Sequence, residues 1–368
     1  MRRYLPKSVE ELVRWYERYI SPLSLVAGFL ADNFFLLRRV DLLRSNLLLF
    51  SYLAVAALGI ALINAIEAGK IRHQWALKAA PLIPVVVQFC FGGLFSGYLS
   101  LYSRSASVAV SWIFVALLAA LLLGNERFTR LYARFSFQIS LYFLVLFSFL
   151  EFFLPIVFHQ IGPAVFIASG LASIALEALF IYAMSKLAPA VFRGEGRRGI
   201  IAVGVIFIAF NILYFTNAIP PLPLALKEAG VYHLVARQAD GSYVLLGEEL
   251  PWYEKYLNYP PVIHRAPDEA VFAWSAVFAP SGLSTEVFHQ WQFYDAAQKR
   301  WTTATTVSFP IFGGRDGGWR GWSEKINPAA GQWRVNVITQ YGQLIGRISF
   351  TVANASTTPP LVRSVAAP

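Results

Sequence analysis

The sequence predicts an α-helical membrane bundle of about seven transmembrane helices, followed by an all-β immunoglobulin-like sandwich domain. Three observations lead to this fold class: an apolar composition, seven long apolar segments before residue 220, and alternating apolar and polar residues after residue 270. Of the 368 residues, 57% are hydrophobic and 14% are charged, whereas soluble domains have about 45–50% apolar and about 25% charged residues. This composition excludes a disordered chain and favours a membrane protein.

The helical part is defined by segment length, because a helix needs about 20 mainly apolar residues to cross the hydrocarbon layer. Residues 7–19, within a cytoplasmic segment 1–19, favour a short amphipathic helix at the membrane surface. Asp32 and Asn33 interrupt the first span, which is therefore the weakest. The predicted spans, which make up a transmembrane domain over 20–219, are 20–37, 46–66, 82–103, 105–123, 137–158, 163–185 and 200–219.

The orientation follows from basic residues, which are retained on the cytoplasmic side of a membrane. Connections on the same side of the membrane as the N-terminus carry 15 Lys and Arg in all; they are 1–19, 67–81, 124–136 and 186–199. The other set, 38–45, 104 and 159–162, carries 4. We therefore expect a multi-pass protein of the bacterial inner (cytoplasmic) membrane, with a cytoplasmic N-terminus and a periplasmic or extracellular C-terminal domain.

The charge distribution argues against a nucleic-acid partner although the net charge is +10. Residues 220–368 hold 12 Lys and Arg against 11 Asp and Glu, so most of the excess lies between apolar spans. A single cysteine, Cys90, excludes an internal disulfide and a thiolate metal site. The five histidines show no ligand spacing, and no nucleophile motif is present. The sequence predicts no catalytic residue, no metal and no cofactor.

The C-terminal part begins with a proline-rich stretch that ends the last helix. We interpret 220–265 as a linker that contains a short hairpin, with strands 233–237 and 243–246 around the turn Asp240-Gly241. Six or seven short strands with turn residues between them predict a β-sandwich over 266–353. The tail 354–368 is rich in Ser, Thr, Pro and Ala and is expected to be disordered. The side chains expected to face the core are Val287, His289, Trp291, Phe293, Trp333, Val335, Val337, Ile348, Phe350 and Val352.

Several motifs in this part occur in a recognisable order. They are His264-Arg265-Ala266-Pro267, Ala279 to Leu283, His289-Gln290-Trp291, Gly313-Gly314-Arg315, Trp319 to Lys325, Gly331 to Val337 and Gly342 to Phe350. Over roughly 264–352 the chain resembles a bacterial envelope family catalogued as domain of unknown function 2914. The resemblance implies a bacterial membrane protein and supplies no activity.

Two carboxylates within the spans are candidate functional residues, because an ionised group is costly inside a membrane. Glu151 and Glu177 are predicted to lie about 9 Å apart in depth, too far for a direct pair. A proton or ion relay and a neutral packing role, with hydrogen bonds to Asn211 or Gln88, both remain open. Asp32 is a third candidate, although it also fits a polar helix end.

In the exported domain, the loop 313–318 combines backbone amides with the guanidinium of Arg315, which suits an anionic sugar or lipid headgroup. The alternative is a glycine-rich connection in which Arg315 pairs with Asp316 or a neighbour. Trp319 and Trp322 are candidate surface aromatic residues and Arg320 lies between them. Trp291, Trp333 and His289 are expected in the core.

The sequence therefore predicts a non-enzymatic multispanning envelope protein. In this interpretation the helices anchor the chain in the lipid bilayer, and the β-sandwich binds a partner protein or glycan. The alternative is a small transporter or membrane-embedded enzyme that uses the intramembrane carboxylates.

Overall fold

The computed structural model describes residues 41–105, 108–125, 128, 131–249 and 260–367. The predicted amphipathic segment, the first predicted span and Asp32 lie outside the described residues. The chain divides into two compact units, a helical unit that ends at Leu222 and a β unit that begins at Pro223.

The described part of the helical unit contains seven α-helices, six of which have at least 18 residues. Five regions are long and apolar enough to cross a membrane: Leu43–Glu67, Leu77–Ser103, Phe135–Phe158, Pro163–Leu187 and Pro189–Phe215. These are fewer than the seven spans predicted. One of the other two lies outside the described residues, and α4, at 18 residues, reaches about 27 Å against the ~30 Å hydrocarbon core. The helices are α1 (Leu43–Glu67), α2 (Gln74–Ala79), α3 (Ile83–Ser105), α4 (Val108–Asn125), α5 (Phe135–Phe158), α6 (Pro163–Leu187) and α7 (Pro189–Phe215).

The connection between α6 and α7 is a single residue, Ala188. Pro189 begins α7, because a proline in the first turn removes no helical hydrogen bond. The basic segment 186–199, predicted as a loop, is therefore mostly helical, and that prediction is wrong.

Helix α5 is the centre of the helical unit. In the most apolar part of α5, 61% of the residues are buried, whereas in the most apolar part of α7 only 17% are buried. The Phe147 ring of α5 stacks on Phe210 of α7 at 4.6 Å between centroids and contacts Phe166 of α6 at 5.6 Å. Gly170 of α6 allows this approach, since a Cβ there would lie 2.9 Å from Phe207. Aromatic packing thus holds α6 and α7 against α5.

Two polar contacts join the basic connections at one end of the helical unit. The ammonium of Lys70, after α1, donates to the carbonyl of Lys186 at 3.1 Å. The carboxylate of Glu195 accepts from the backbone N–H of Ser136 at 2.9 Å and from its hydroxyl at 3.1 Å. The connections around residues 70, 136 and 188 therefore lie at the same end.

The β unit has eleven strands among its described residues. Four of them lie in the segment 220–265, so the prediction that this segment is a linker is wrong; the predicted hairpin is present as β2 and β3. The tail predicted to be disordered contains β11, whose backbone pairs antiparallel with β3. The strands are β1 (Ala225–Tyr232), β2 (Leu234–Arg237), β3 (Tyr243–Glu248), β4 (Val262–Arg265), β5 (Ala270–Phe278), β6 (Ser284–Asp295), β7 (Arg300–Phe312), β8 (Trp319–Ile326), β9 (Gly331–Thr339), β10 (Leu344–Asn354) and β11 (Leu361–Ala366).

These strands form three sheets, with orders β1-β5-β8, β4-β10-β9-β6-β7 and β11-β3-β2. The paired strands are antiparallel except for β4 and β10, which are parallel. A third sheet and a parallel edge strand distinguish this arrangement from the two antiparallel sheets predicted. The immunoglobulin-like topology stays a prediction.

The sheet β1-β5-β8 is the middle layer, because successive residues of β5 enter different cores. Val271 and Ala273 pack with Trp291 in the core shared with the five-stranded sheet. Trp274 and Ala276 pack with side chains of β2 and β3 in a second core.

The predicted inward alternation is confirmed for the five-stranded sheet. The side chains of β6, β9 and β10 named above are buried except Phe293, which is partly buried against the same cluster. His289 is fully buried, and its ring nitrogens lie 2.8 Å from the Ser275 hydroxyl and 2.9 Å from the Ser323 hydroxyl. The expectation of a hydrogen-bonded core histidine is confirmed.

Candidate anion-binding cleft

An open cleft of about 630 Å³ lies on the β unit between two separate chain segments. One segment is the end of β2 with its turn to β3, and the other is the β7–β8 loop with the start of β8. Its lining residues are Arg237, Ala239, Asp240, Gly241, Arg315, Asp316, Gly317 and Arg320. The cleft therefore contains two of the four residues predicted to bind a ligand, Arg315 and Arg320.

The hairpin turn is fixed by its own hydrogen bonds. Gly241 has a φ of 83°, which favours glycine. The Asp240 carboxylate accepts from the hydroxyl of Ser242 at 2.7 Å and from its backbone N–H at 2.9 Å. These two hydrogen bonds lower the pKa of Asp240. This rim carboxylate is thus ionised near neutral pH and engaged in the turn.

The β7–β8 loop approaches other backbone too closely for side chains at two positions. A Cβ at Gly313 would lie 1.6 Å from the carbonyl oxygen of Pro280. Gly318 has a φ of 84°, and a Cβ there would lie 2.9 Å from the backbone of Val277. The glycines therefore let the loop lie against the core while Arg315 projects from it.

Arg315 is held by an aromatic ring. Its guanidinium carbon lies 4.6 Å from the centre of the Trp319 ring, within the range of a cation–π interaction. Trp319 is partly buried and contacts Phe312 edge-to-face at 5.1 Å between centroids. Trp319 therefore positions a cleft residue without lining the cleft itself.

The guanidinium of Arg320 forms a hydrogen bond through one nitrogen. Its Nη1 donates to the carbonyl of Gly318 at 3.2 Å, while its Nε is buried and has no hydrogen-bond partner among the described residues. The remaining nitrogen, Nη2, lies beside Gly317, where an added Cβ would be 2.9 Å away. The absence of a side chain at 317 leaves room for this guanidinium at the cleft.

The cleft brings three guanidinium groups and two carboxylates together, which leaves an excess of one positive charge. Guanidinium groups present planar pairs of N–H donors that match carboxylate and phosphate oxygens. The backbone of the glycine-rich loop adds further polar groups. The arrangement is suited to holding an anionic group by charge and hydrogen bonds.

Trp322 lies beside the cleft. It follows Arg320 on the same face of β8, is 40% exposed, and contacts Phe272 at 5.7 Å between ring centroids. An exposed indole at this position offers an apolar surface next to the charged lining.

Sequence reasoning missed Arg237, which it assigned to a hairpin strand. No local motif marks this residue, because its role comes from tertiary contact between the β2–β3 hairpin and the β7–β8 loop. The signal that the sequence offered was the glycine-rich loop with the guanidinium of Arg315, which belongs to the other chain segment that lines the cleft.

The two carboxylate candidates of the helical unit, Glu151 and Glu177, make no hydrogen bond to each other. Glu151 is buried and accepts a 2.7 Å hydrogen bond from the Tyr102 hydroxyl. Glu177 is also buried, and neither of its carboxyl oxygens has a hydrogen-bond partner among the described residues. The predicted partners are engaged elsewhere: Gln88 bonds to Asn125, and Asn211 donates to the carbonyl of Phe207.

A second polar cluster of the β unit consists of His233, Glu248, His264 and Glu269. The His233 ring lies between two carboxylates, 3.1 Å from Glu248 and 2.9 Å from Glu269. Glu248 also accepts from the backbone N–H of His264 at 2.6 Å and lies 2.8 Å from its ring. Burial opposes ionisation of Glu248, but these hydrogen bonds outweigh it and lower its pKa. The cluster connects β3 and β4 with the residue between β1 and β2 and with the residue that precedes β5.

No group of three or more His, Cys, Asp or Glu side chains in the described part of the chain is arranged to hold a metal ion.

The comparison with known families bears on the β unit. Residues 284–352 match the family model described as Protein of unknown function (DUF2914). The resemblance inferred from the motifs is thereby confirmed over these residues. The DUF2914 match begins at Ser284, so it excludes the motifs before β6, and it includes Arg315 and Arg320 but not Arg237.

No curated protein matches the chain. Among solved structures, the chain is similar to the Pseudomonas fluorescens alkylpurine DNA glycosylase AlkC bound to DNA containing an abasic site analog. The identity is 12%, the TM-score is 0.20, and the alignment covers 77% of this chain and 83% of that one. A TM-score this low carries no argument about fold or function.

Proposed function

We propose that the chain is a non-enzymatic, multispanning protein of the bacterial inner membrane, and that its exported β unit captures an anionic group of an envelope glycan or partner protein. The observation that carries the proposal is the convergence of Arg237, Arg315 and Arg320 on one open cleft.

The anchoring role is supported by the helical unit. Five helices are long and apolar enough to cross a membrane, and many of their large apolar side chains are exposed, Leu58, Leu171 and Ile208 among them. An apolar surface of this extent is costly in water and matches lipid.

The orientation is supported by two independent features. Basic residues are concentrated in alternate connections, as expected of cytoplasmic loops. The contacts of Lys70 with Lys186 and of Ser136 with Glu195 bring three of these connections to one end of the helical unit. Helix α7 begins at this basic end, so its last residue lies at the opposite end of the helix. If the basic end is cytoplasmic, the β unit that follows α7 is exported.

The ligand class follows from the cleft's size and charge. A cleft of about 630 Å³ is within the range of small-ligand sites and admits a sugar-sized group. Its three guanidiniums favour a phosphate or carboxylate. The β unit lacks the large basic excess that nucleic-acid binding requires, because its charges nearly balance.

In-cell crosslinking tests the proposal. The full-length protein is compared with the Arg237→Gln/Arg320→Gln variant, which removes two cleft charges, and with a chain that lacks 225–368. Adducts identified by mass spectrometry should be present in the wild type and absent from both other samples.

The matched control is Lys299→Gln/Arg300→Gln, which removes two exposed positive charges, at the end of the β6–β7 turn and at the first residue of β7. It should retain the adducts. Adducts that survive the cleft substitutions at wild-type abundance would refute the assignment of the cleft.

A second candidate, transport or catalysis within the bundle, is favoured by one observation. Glu177 is buried with no described hydrogen-bond partner for either carboxyl oxygen, and such a group in an apolar span is a functional candidate. This function requires that Glu177→Gln abolish a cellular phenotype at normal expression. A Glu177→Gln strain that behaves as the wild type would count against it.

A further inference from the structure

The outward face of the five-stranded sheet carries an ordered row of polar side chains. The row consists of Gln290 and Gln292 of β6, Arg334 and Asn336 of β9, and Arg347 of β10, and is called here the amide–arginine row. These residues alternate with the buried core residues of the same strands, so they point away from the core. They all lie within the segment that matches DUF2914.

Hydrogen bonds fix the members of the row relative to one another. The Asn336 amide donates to Gln290 and Gln292, each at 3.1 Å. Arg334 donates through Nε to Gln292 at 2.7 Å, and Arg347 donates through Nε to Asn336 at 2.7 Å. The side chains are thereby ordered before any ligand binds, which lowers the entropic cost of binding.

Each arginine uses only its Nε within the row. The four terminal Nη groups of Arg334 and Arg347 make no hydrogen bond to a described residue, and neither arginine lies within ion-pair distance of a described carboxylate. Both guanidiniums therefore keep their paired N–H donors for an external acceptor.

Aromatic side chains extend the row to the edge strand β7. The Arg334 guanidinium lies 4.2 Å from the centre of the Trp301 ring, and Trp301 contacts Tyr294 at 5.3 Å. Gln292 also donates to the hydroxyl of Thr303 at 3.1 Å. The surface thus crosses β7, β6, β9 and β10, about 14 Å at 4.8 Å per strand.

The two arginines also oppose each other electrostatically. Burial and the charge of Arg347 lower the pKa of Arg334 to about 10, and burial lowers the pKa of Arg347. A bound anion would relieve this repulsion.

We propose that the amide–arginine row and Trp301 bind an extended, carboxylate-bearing polysaccharide, at a site separate from the cleft. Guanidinium Nη groups would hold the carboxylates, while the amides, which both donate and accept, would match sugar hydroxyls. The indole of Trp301 would contact the apolar face of a sugar ring. The row and Trp301 form an open surface that extends across four strands, which suits an extended chain better than a small ion.

The test is titration calorimetry with the full-length protein in nanodiscs of zwitterionic phosphatidylcholine. The probe is an oligogalacturonate of about ten sugars, and a neutral maltodextrin of equal length is the comparison. Saturable binding of the charged chain is expected, at least tenfold tighter than binding of the neutral chain. Binding should weaken as salt is raised.

Arg334→Gln/Arg347→Gln should reduce this affinity at least tenfold, whereas Lys299→Gln/Arg300→Gln removes the same charge nearby and should reduce it less than threefold. A second variant, Asn336→Asp, keeps both arginines but supplies them with an internal carboxylate, and it should also weaken binding at least tenfold. Thermal unfolding of each variant shows whether the fold is retained.

The row substitutions are also measured in the Arg237→Gln/Arg320→Gln background, which lacks two of the cleft charges, and there they should cause the same loss of at least tenfold. This comparison separates the present proposal from the proposed function. The proposal is overturned if the row variants bind like their control, if the neutral chain binds equally well, or if a single-stranded oligonucleotide of equal charge binds more tightly.

Discussion

The guanidinium of Arg315 lies over the indole of Trp319, 4.6 Å from the ring centre. Arg315 and Trp319 were separate candidates in the sequence, and the structure shows that they are in contact and have different roles. Arg315 lines the cleft, whereas Trp319 packs on Phe312 and positions the guanidinium. The β7–β8 loop thus presents a fixed charge although it is rich in glycine.

We expect Trp319→Ala to weaken binding of glucuronate to the cleft about two- to fivefold, because an exposed cation–π contact contributes about 0.5–1 kcal/mol. Trp319→Phe keeps an aromatic ring beneath Arg315 and should lose less affinity. Calorimetry on the purified full-length variants measures both. Equal affinity for the alanine variant and the wild type would show that Trp319 does not position Arg315.

The stability of the β unit should fall as the pH is lowered from about 6.5 to about 3. Burial lowers the pKa of His289 to about 3, so over this range the unfolded chain takes up a proton that the folded chain does not. The free energy of unfolding should decrease by about 1.4 kcal/mol per pH unit. Chemical unfolding followed by tryptophan fluorescence measures this slope.

His289→Gln should remove that part of the slope, while the control His159→Gln, in the helical unit, should keep it. An unchanged slope in His289→Gln would contradict the account of a neutral, buried imidazole.

Glu248→Gln should lower the free energy of unfolding by about 1–3 kcal/mol at pH 7, because hydrogen bonds to a charged acceptor are lost. The pKa of Glu248 is below its usual value of 4.5 in the folded chain. Its contribution is therefore present above that pH and is lost as the pH falls through the folded pKa. The difference between variant and wild type should shrink in acid.

The control for this measurement is Glu286→Gln, an exposed carboxylate on β6, which should change stability by less than about 0.5 kcal/mol. If the effect of Glu248→Gln were the same at pH 7 and at pH 3, the carboxylate's charge would not be the source of its contribution.

The orientation of the chain can be read with introduced cysteines, because the native Cys90 is buried. A membrane-impermeant maleimide applied to spheroplasts, which lack an outer membrane, should label Lys299→Cys in the β unit and leave Arg198→Cys unlabelled. Both should react after the membrane is opened. Labelling of Arg198→Cys alone in closed spheroplasts would reverse the proposed orientation.

Much of the fold was predictable because its signals are local. Apolar length identified the helices after residue 40, and a period of two identified the inward faces of β6, β9 and β10. The third sheet was missed because β11 lies in a segment with the composition of a disordered tail, and its hydrogen bonds depend on β3, more than 110 residues earlier.

The candidate sites were less predictable for the same reason. Arg315 lies in a loop whose composition is informative, and Arg320 follows at the start of β8. Arg237 joins them only through tertiary packing. The amide–arginine row combines residues from β6, β9 and β10. Its alternation with core residues was visible in the sequence, whereas its hydrogen bonds depend on strand register.

The most direct test of the account is titration of the purified full-length protein with glucuronate and with glycerol phosphate, using glucose and glycerol as neutral comparisons. We predict saturable binding of at least one anion and a loss of at least tenfold in Arg237→Gln/Arg320→Gln. Binding of neither anion, or equal affinity in the variant, would contradict the claim that the cleft captures an anionic group.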